Sequence, residues 1–133
     1  MCDANNDCMV ESIDHLVLTV ANIEQTIDFY TKILGMTVSV FGSGRKALHF
    51  GSQKINLHQI GHEFKPHAQK PTCGSVDICF VTKQSLELWI DKLKALRVPV
   101  EEGPVPRTGA VAPMNSLYVR DPDNNLVEIA YYG

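Results

Sequence analysis

Residues 12–41, SIDHLVLTVANIEQTIDFYTKILGMTVSVF, carry the pattern that decides the fold of this 133-residue chain. Ser12–Val20 is rich in β-branched and apolar residues, which predicts a strand. Asn22 is a suitable N-cap, and apolar side chains then recur at helical spacing as far as Gly35, where we expect the helix to end. Strand-like runs separated by glycine-containing turns follow at 36–41, 46–50 and 54–60. This part of the chain therefore predicts the order βαβββ.

The same order starts again after a loop at residues 61–74. Residues 75–82 predict a strand, and apolar residues at helical spacing over 86–96 predict a helix. We interpret residues 103–113 as a long Gly/Pro loop. The remaining strand-like runs lie at 98–101, 116–120 and 125–131.

This repeat predicts an α+β domain built from two tandem βαβββ modules, at about residues 12–65 and 74–133. We expect their mixed or antiparallel sheets to curve into a cup. Residues 1–11 are polar and aperiodic, so we interpret them as a flexible leader ahead of a single domain at 12–133.

Composition and charge exclude several classes of protein. Hydrophobic residues make up 44% of the chain and the net charge is −3, with no basic patch, so we expect neither a nucleic-acid nor a membrane partner. The N-terminus does not resemble a secretory signal, which favours the cytoplasm, or the mitochondrion if a targeting leader has been removed. The cysteines contain no C-x-x-C pair, and we expect reduced thiols at Cys2, Cys8, Cys73 and Cys79.

Polar side chains inside the apolar strands are the candidate functional residues. Overlaying the two halves makes His15 equivalent to Asp77, and Asn56 equivalent to Glu128. Strand side chains alternate between faces, so these residues are expected to line the cup, with His58 on the same face as Asn56. A buried carboxylate such as Glu128 is costly unless it is paired or bound to a metal. Taken singly, His15 is more often a hydrogen-bonded core or surface histidine, and Glu128 could simply pair with an arginine.

Together these residues suggest a divalent-metal site. Its predicted ligands are His15, His58, Asp77 and Glu128. Imidazole suits Zn, Ni, Co, Mn or Fe, and carboxylates admit the harder members of that set. Whether His58 or Asn56 is the fourth partner stays open.

The opening residues 12–35 and the closing residues 116–128 resemble the vicinal oxygen chelate superfamily of glyoxalases, bleomycin-resistance proteins and dioxygenases. Residues 103–110 bring the similarity closer to its glyoxalase domain-containing proteins. The resemblance implies a divalent metal that chelates two oxygens of a substrate, with His15 as the first ligand and Glu128 as the last. Asp77 stands where histidine is common, and Asn56 stands where glutamate or glutamine is common.

The leading hypothesis is a metal-dependent enzyme of lyase, isomerase, transferase or dioxygenase type that acts on a small oxygenated metabolite. Glu128 is its predicted catalytic residue. Asn56, Tyr118 and Arg107 are its predicted substrate contacts, although Arg107 could be an exposed loop cation. The alternative is a metal-free protein that binds or sequesters a small molecule with a degenerate site. The resemblance implies a homodimer in either case.

Overall fold

The computed structural model describes residues 7–133, and two helices and eight strands form within them. In chain order the elements are β1 (His15–Val20), α1 (Ile23–Lys32), β2 (Thr37–Phe41), β3 (Arg45–Phe50), β4 (Gln53–Gln59), β5 (Asp77–Thr82), α2 (Leu86–Ala95), β6 (Glu102–Thr108), β7 (Pro113–Arg120) and β8 (Leu126–Tyr131). The βαβββ order therefore occurs twice, as the sequence pattern predicts.

The strands form two four-stranded mixed sheets, one in each half of the chain. The first has the order β1-β4-β3-β2 and the second has the order β5-β8-β7-β6. In both, the first strand of the module runs parallel to the last, and the other neighbours are antiparallel. The predicted α+β fold class is confirmed. We call the two halves the first and the second module.

Both helices begin where the local chemistry supplies a cap. The side-chain oxygen of Asn22 accepts a hydrogen bond of 2.9 Å from the backbone N–H of Gln25. Ser85 caps α2 in the same way through Leu88. These bonds satisfy backbone donors that the first helical turn leaves unpaired. The N-cap predicted at Asn22 is present.

Residues 102–108 form the edge strand β6, so the long loop expected over 103–113 is wrong for its first half. The strand-like run expected at 98–101 is also wrong, because those residues belong to the connection between α2 and β6. An edge strand tolerates proline because one side of its backbone needs no partner in the sheet. Gly103 lies in the left-handed region with φ 110°, and a β-carbon there would lie 2.5 Å from the carbonyl oxygen of Ser116. Close backbone approach and an irregular register between Glu102 and Val105 explain this composition inside a strand.

The core lies between the helices and one face of each sheet. The Tyr30 ring of α1 lies 6.4 Å from the Phe80 ring of β5, and Phe50 of β3 lies 5.2 Å from the same ring, centre to centre. The hydroxyl of Tyr30 also donates a 2.8 Å hydrogen bond to the buried carboxylate of Asp121. The modules thus contact one another through their helix-covered sides. In the part of the chain that the structure describes, no helix covers the opposite face of either sheet, and we call it the open face.

Residues 1–6 of the expected leader lie outside the described residues. Cys73 and Cys79 are free thiols, but Cys8 is disulfide-bonded, so the expectation of reduced thiols is wrong for Cys8. Within residues 7–133, no helix is long and apolar enough to cross a membrane.

Candidate functional site

The open face of the first module holds Asn56 and His58, as strand alternation predicts. Asn56 lies opposite Val17 and His58 lies opposite Thr19 in the parallel pairing of β4 with β1. Both side chains are buried, with residue exposures of 6% and 2%. Within residues 7–133, the Asn56 side-chain oxygen and both ring nitrogens of His58 have no hydrogen-bond partner. Buried polar atoms without partners are uncommon in native proteins and mark this face as a place where a ligand can bind.

His15 lies at the other end of the same strand pair. Its ring is half-exposed, and Nδ1 lies 2.8 Å from the carboxylate of Asp14. His15 is opposite Lys54, four residues along the strands from the pairing of Thr19 with His58, which is about 13 Å at the usual strand rise. The structure therefore does not bring His58 beside His15, although both lie on the open face.

Phe64, from the loop between β4 and β5, covers His58. The two rings meet edge to face with 5.5 Å between their centres, and the guanidinium carbon of Arg45 lies 4.6 Å from the centre of the Phe64 ring. Burial, and next the positive charge of Arg45, lower the pKa of His58. A neutral imidazole has one ring N–H donor and one ring acceptor available to a ligand.

The open face of the second module brings together four of the predicted site residues. Glu128 lies beside Cys79 on one side and Tyr118 on the other. A cavity of about 300 Å³ is lined there by Asp77, Glu101, Glu102, Arg107, Tyr118, Leu126 and Glu128. Partial burial and the neighbouring Glu128 carboxylate raise the pKa of the Cys79 thiol to about 12, so this thiol is protonated at neutral pH.

Arg107 lies on β6, and the expectation that it belongs to a loop is wrong. Its Nε donates a 2.8 Å hydrogen bond to the Tyr118 hydroxyl oxygen, and its Nη2 lies 2.5 Å from the Glu102 carboxylate. Glu101 pairs with both ends of the Arg120 guanidinium, at 2.9 and 3.0 Å. The two arginines on this face are therefore paired with Glu101 and Glu102. Within residues 7–133 the Glu128 carboxylate has no ion pair, which sets aside the idea that an arginine accounts for it.

The four symmetry-related residues do not converge within one chain. His15 and Asn56 belong to the first open face, whereas Asp77 and Glu128 belong to the second. Over the described range 7–133, no three His, Cys, Asp or Glu side chains are grouped closely enough to hold a metal ion. Sequence reasoning also missed Arg45 and Phe64, because Arg45 follows a turn signal and loop residues such as Phe64 have no periodic pattern to place them.

Comparison with known proteins agrees with this architecture. The family model of the glyoxalase/bleomycin resistance protein/dioxygenase superfamily matches residues 12–129. Glyoxalase domain-containing protein RDO1 of Mycosarcoma maydis is 58% identical over 92% of this chain and 69% of its own length. Virulence protein STM3117 of Salmonella typhimurium is 48% identical over 93% of this chain and 86% of its own. The metallothiol transferase FosB of Staphylococcus epidermidis is 26% identical over 90% of this chain and 81% of its own.

Solved structures show the same arrangement of the two modules. An integron cassette protein of V. cholerae is 50% identical and superposes with a TM-score of 0.93, covering 95% of this chain and 98% of that one. Lactoylglutathione lyase from Agrobacterium tumefaciens is 21% identical with a TM-score of 0.70, covering 92% and 94%, which shows a shared fold.

Proposed function

Because this chain belongs to the glyoxalase/bleomycin resistance protein/dioxygenase superfamily, we propose that it binds a small oxygenated metabolite on its open faces and transforms it with a divalent metal. The observation that carries this proposal is the Glu128 carboxylate, which makes no ion pair within residues 7–133 and shares a cavity with Asp77, Tyr118 and Arg107. An acidic side chain without an ion pair in a cavity, next to hydrogen-bonding groups, is typical of a metal or catalytic site. FosB, a relative of 26% identity, is named as a metallothiol transferase, which supports a metal.

The donor chemistry fits a divalent ion. We propose Glu128, Asp77 and His15 as its ligands, a set of two carboxylates and one imidazole that suits Zn, Ni, Co, Mn or Fe. When bound, such an ion polarises an oxygen of the substrate as a Lewis acid. His58 is too far along the strand from His15 to join this set, so we place it, with Asn56, among the substrate contacts.

A second copy of the chain would complete the set. The first open face holds His15, whereas the second holds Asp77 and Glu128, so a homodimer that pairs unlike faces would join them. β1 and β5 each have only one hydrogen-bonded neighbour among the described strands, which leaves one edge of each available. Exposed apolar side chains lie close to these edges: Ile13 at 64%, Val17 at 43% and Val81 at 62%. These features support association through β1 of one copy and β5 of another.

Tyr118 and Arg107 would orient the substrate. Because Arg107 donates to the Tyr118 oxygen, the phenol proton is available for an oxygen of the substrate beside Glu128. A cation–π contact also holds the phenol in place, because the Arg107 guanidinium carbon lies 5.3 Å from the centre of the Tyr118 ring. Glu128 is then the residue that touches both the metal and the reacting molecule, which makes it our candidate catalytic residue.

The second candidate function is metal-free binding or sequestration of a small molecule. It is favoured by the lack of any cluster of three potential ligands within residues 7–133. It is also favoured by asparagine and aspartate at positions 56 and 77, which depart from the ligands common in the superfamily.

Metal titration separates the two candidates. We expect the protein, stripped with a chelator, to take up about one ion per chain when Zn, Ni, Co, Mn or Fe is added singly. Glu128→Gln should lose this uptake and keep its circular dichroism spectrum. Glu87→Gln, which changes an exposed carboxylate in the first turn of α2, is the matched control and should bind as the unchanged protein does. No uptake of any of the five ions would reject the enzyme proposal in favour of metal-free binding.

A further inference from the structure

Two cations on the open face of the first module share one aromatic ring. The guanidinium carbon of Arg45 lies 5.1 Å from the centre of the Phe41 ring, and the Lys54 ammonium lies 4.2 Å from the same point. The strand pairing explains why both cations reach this ring. Phe41 is opposite Arg45 in the pairing of β2 with β3, and Lys54 projects from the same face of the neighbouring strand β4.

Neither cation forms an ion pair within residues 7–133, although the Asp14 carboxylate is close enough to Lys54 for a weak charge interaction. Among residues 7–133, Arg45 and Lys54 make no ion pair and no side-chain hydrogen bond, whereas Lys46, the neighbour of Arg45, pairs with Glu24 at 2.8 Å. Both cations are only partly exposed. Two like charges beside the same ring, both partly withdrawn from water, favour an anion near them.

The surface beside these cations is polar, buried and lacks partners. His58 comes directly after Leu57, the partner of Lys46, so it lies near Arg45 at the end of the β3–β4 pairing. Asn56 lies two residues before His58 on β4. Neither the His58 ring nitrogens nor the Asn56 oxygen has a hydrogen-bond partner within residues 7–133, although both residues are more than nine-tenths buried. This is a second observation, independent of the charges, and it also indicates that these side chains can receive a polar ligand.

Phe64 closes the outer side of this region, because its ring contacts both the His58 ring and the Arg45 guanidinium. Two aromatic rings, two cations and a neutral imidazole are therefore grouped on this part of the open face. Such a set suits an oxyanion, since a guanidinium and an ammonium give charge-assisted hydrogen bonds and an imidazole N–H supplies another donor.

We propose that Arg45, Lys54 and His58 form a subsite for the oxyanion of a small acid, a carboxylate or a phosphate, between Phe41 and Phe64. This proposal specifies that the molecule bound on the open faces is an acid, and in that respect it rests on the proposed function. It uses no metal ligand, so its binding is measurable in metal-free protein.

The test is calorimetric titration of metal-free protein with inorganic phosphate and, separately, with malonate, at constant ionic strength kept with chloride. We expect saturable binding of at least one acid, and the tighter of the two identifies the natural group as phosphate or carboxylate. Arg45→Gln and Lys54→Gln should each weaken it about tenfold or more, as expected for the loss of one charge-assisted hydrogen bond. Lys46→Gln is the matched control, because Lys46 is the next residue on β3 and points to the opposite face.

Three outcomes would overturn the subsite. They are no saturation with either acid, equal weakening by Lys46→Gln and Arg45→Gln, or Arg45→Gln binding as tightly as the unchanged protein. Spectra of the imidazole nitrogens provide a second measurement: phosphate should shift the His58 resonances and leave those of the exposed His62 in place. Glu128→Gln should bind phosphate normally, and Arg45→Gln should still take up metal, so failure of the subsite and failure of the metal proposal are distinguishable.

Discussion

The carboxylate of Asp121 accepts four hydrogen bonds in the turn between β7 and β8. They come from the Tyr30 hydroxyl, the Asn125 side chain, and the backbone N–H groups of Asp123 and Asn125. Of these four bonds, only the one from Tyr30 joins the two modules. Together the bonds offset the cost of removing a carboxylate from water, since Asp121 is only 4% exposed. Burial and the nearby Asp121 charge also raise the pKa of Tyr30, which keeps its phenol protonated as a donor.

Tyr30→Phe should therefore lower the free energy of unfolding by about 1.5–3 kcal/mol, since it removes a donor to a buried charge. Urea denaturation measures this change. Tyr131→Phe is the control, because the Tyr131 hydroxyl makes no hydrogen bond within the described part of the chain and its loss should change stability little. Equal effects of the two substitutions would contradict the role of the bond to Asp121.

His58 should make stability depend on pH. Its pKa is lowered in the folded protein, so protonation favours the unfolded chain. Its contribution is fully present above the unfolded value of about 6.5 and declines as pH falls below that value. His58→Gln should reduce the loss of stability between pH 7 and pH 5, measured by urea denaturation at each pH. His62→Gln, in the exposed loop, should leave the slope as it is, and an unaltered slope in His58→Gln would refute the assignment.

At the level of elements, strand alternation was enough to predict which residues share a face. It placed Asn56 with His58, and it placed Glu128 on the face that Tyr118 also occupies. Strand β6 could not be found in this way, because its glycine and two prolines are the residues that usually mark a loop. Its pairing with β7 depends on a close backbone approach that composition does not reveal.

Gly103→Ala tests that approach. The new β-carbon would meet the Ser116 carbonyl oxygen at 2.5 Å and the Leu117 α-carbon at 2.7 Å. We expect a loss of about 2–4 kcal/mol in unfolding free energy, of which the positive φ alone explains about 1 kcal/mol. Gly44→Ala is the matched control, since Gly44 also has a positive φ but a β-carbon there has nothing within 4 Å. If both variants lose the same amount, close packing of β6 is not the reason for this glycine.

At the level of the whole molecule, the repeat predicted two modules and a cup lined by the candidate residues of both, but it did not predict the packing that separates those residues. His15 and Asp77 are equivalent by symmetry, yet their faces are apart because the modules meet through Tyr30, Phe50 and Phe80. Those are ordinary core residues, and nothing in their spacing tells which module they will contact. The location of the predicted ligands on two faces is therefore a tertiary property that periodicity could not supply.

Complementation tests the proposed sharing of the site between two copies. His15→Ala and Glu128→Gln should each lose metal uptake when prepared alone. When they are unfolded together and refolded as a mixture, about a quarter of the original capacity should return, because half of the dimers are mixed and each has one intact site. Elemental analysis after removal of free metal measures it. Recovery of none would indicate that all ligands must come from one chain.

The two open faces differ in charge. Within residues 7–133 the first presents Arg45 and Lys54 without ion pairs, and the second presents Asp77 and Glu128, also without ion pairs, beside two arginines that pair with Glu101 and Glu102. The two modules share one strand topology but present different side chains on their open faces. A chain carrying two first modules would lack Asp77 and Glu128, the two carboxylates proposed to bind the metal. Under the two proposals each module contributes a different site, so the function would depend on the order of the modules along the chain as well as on their presence.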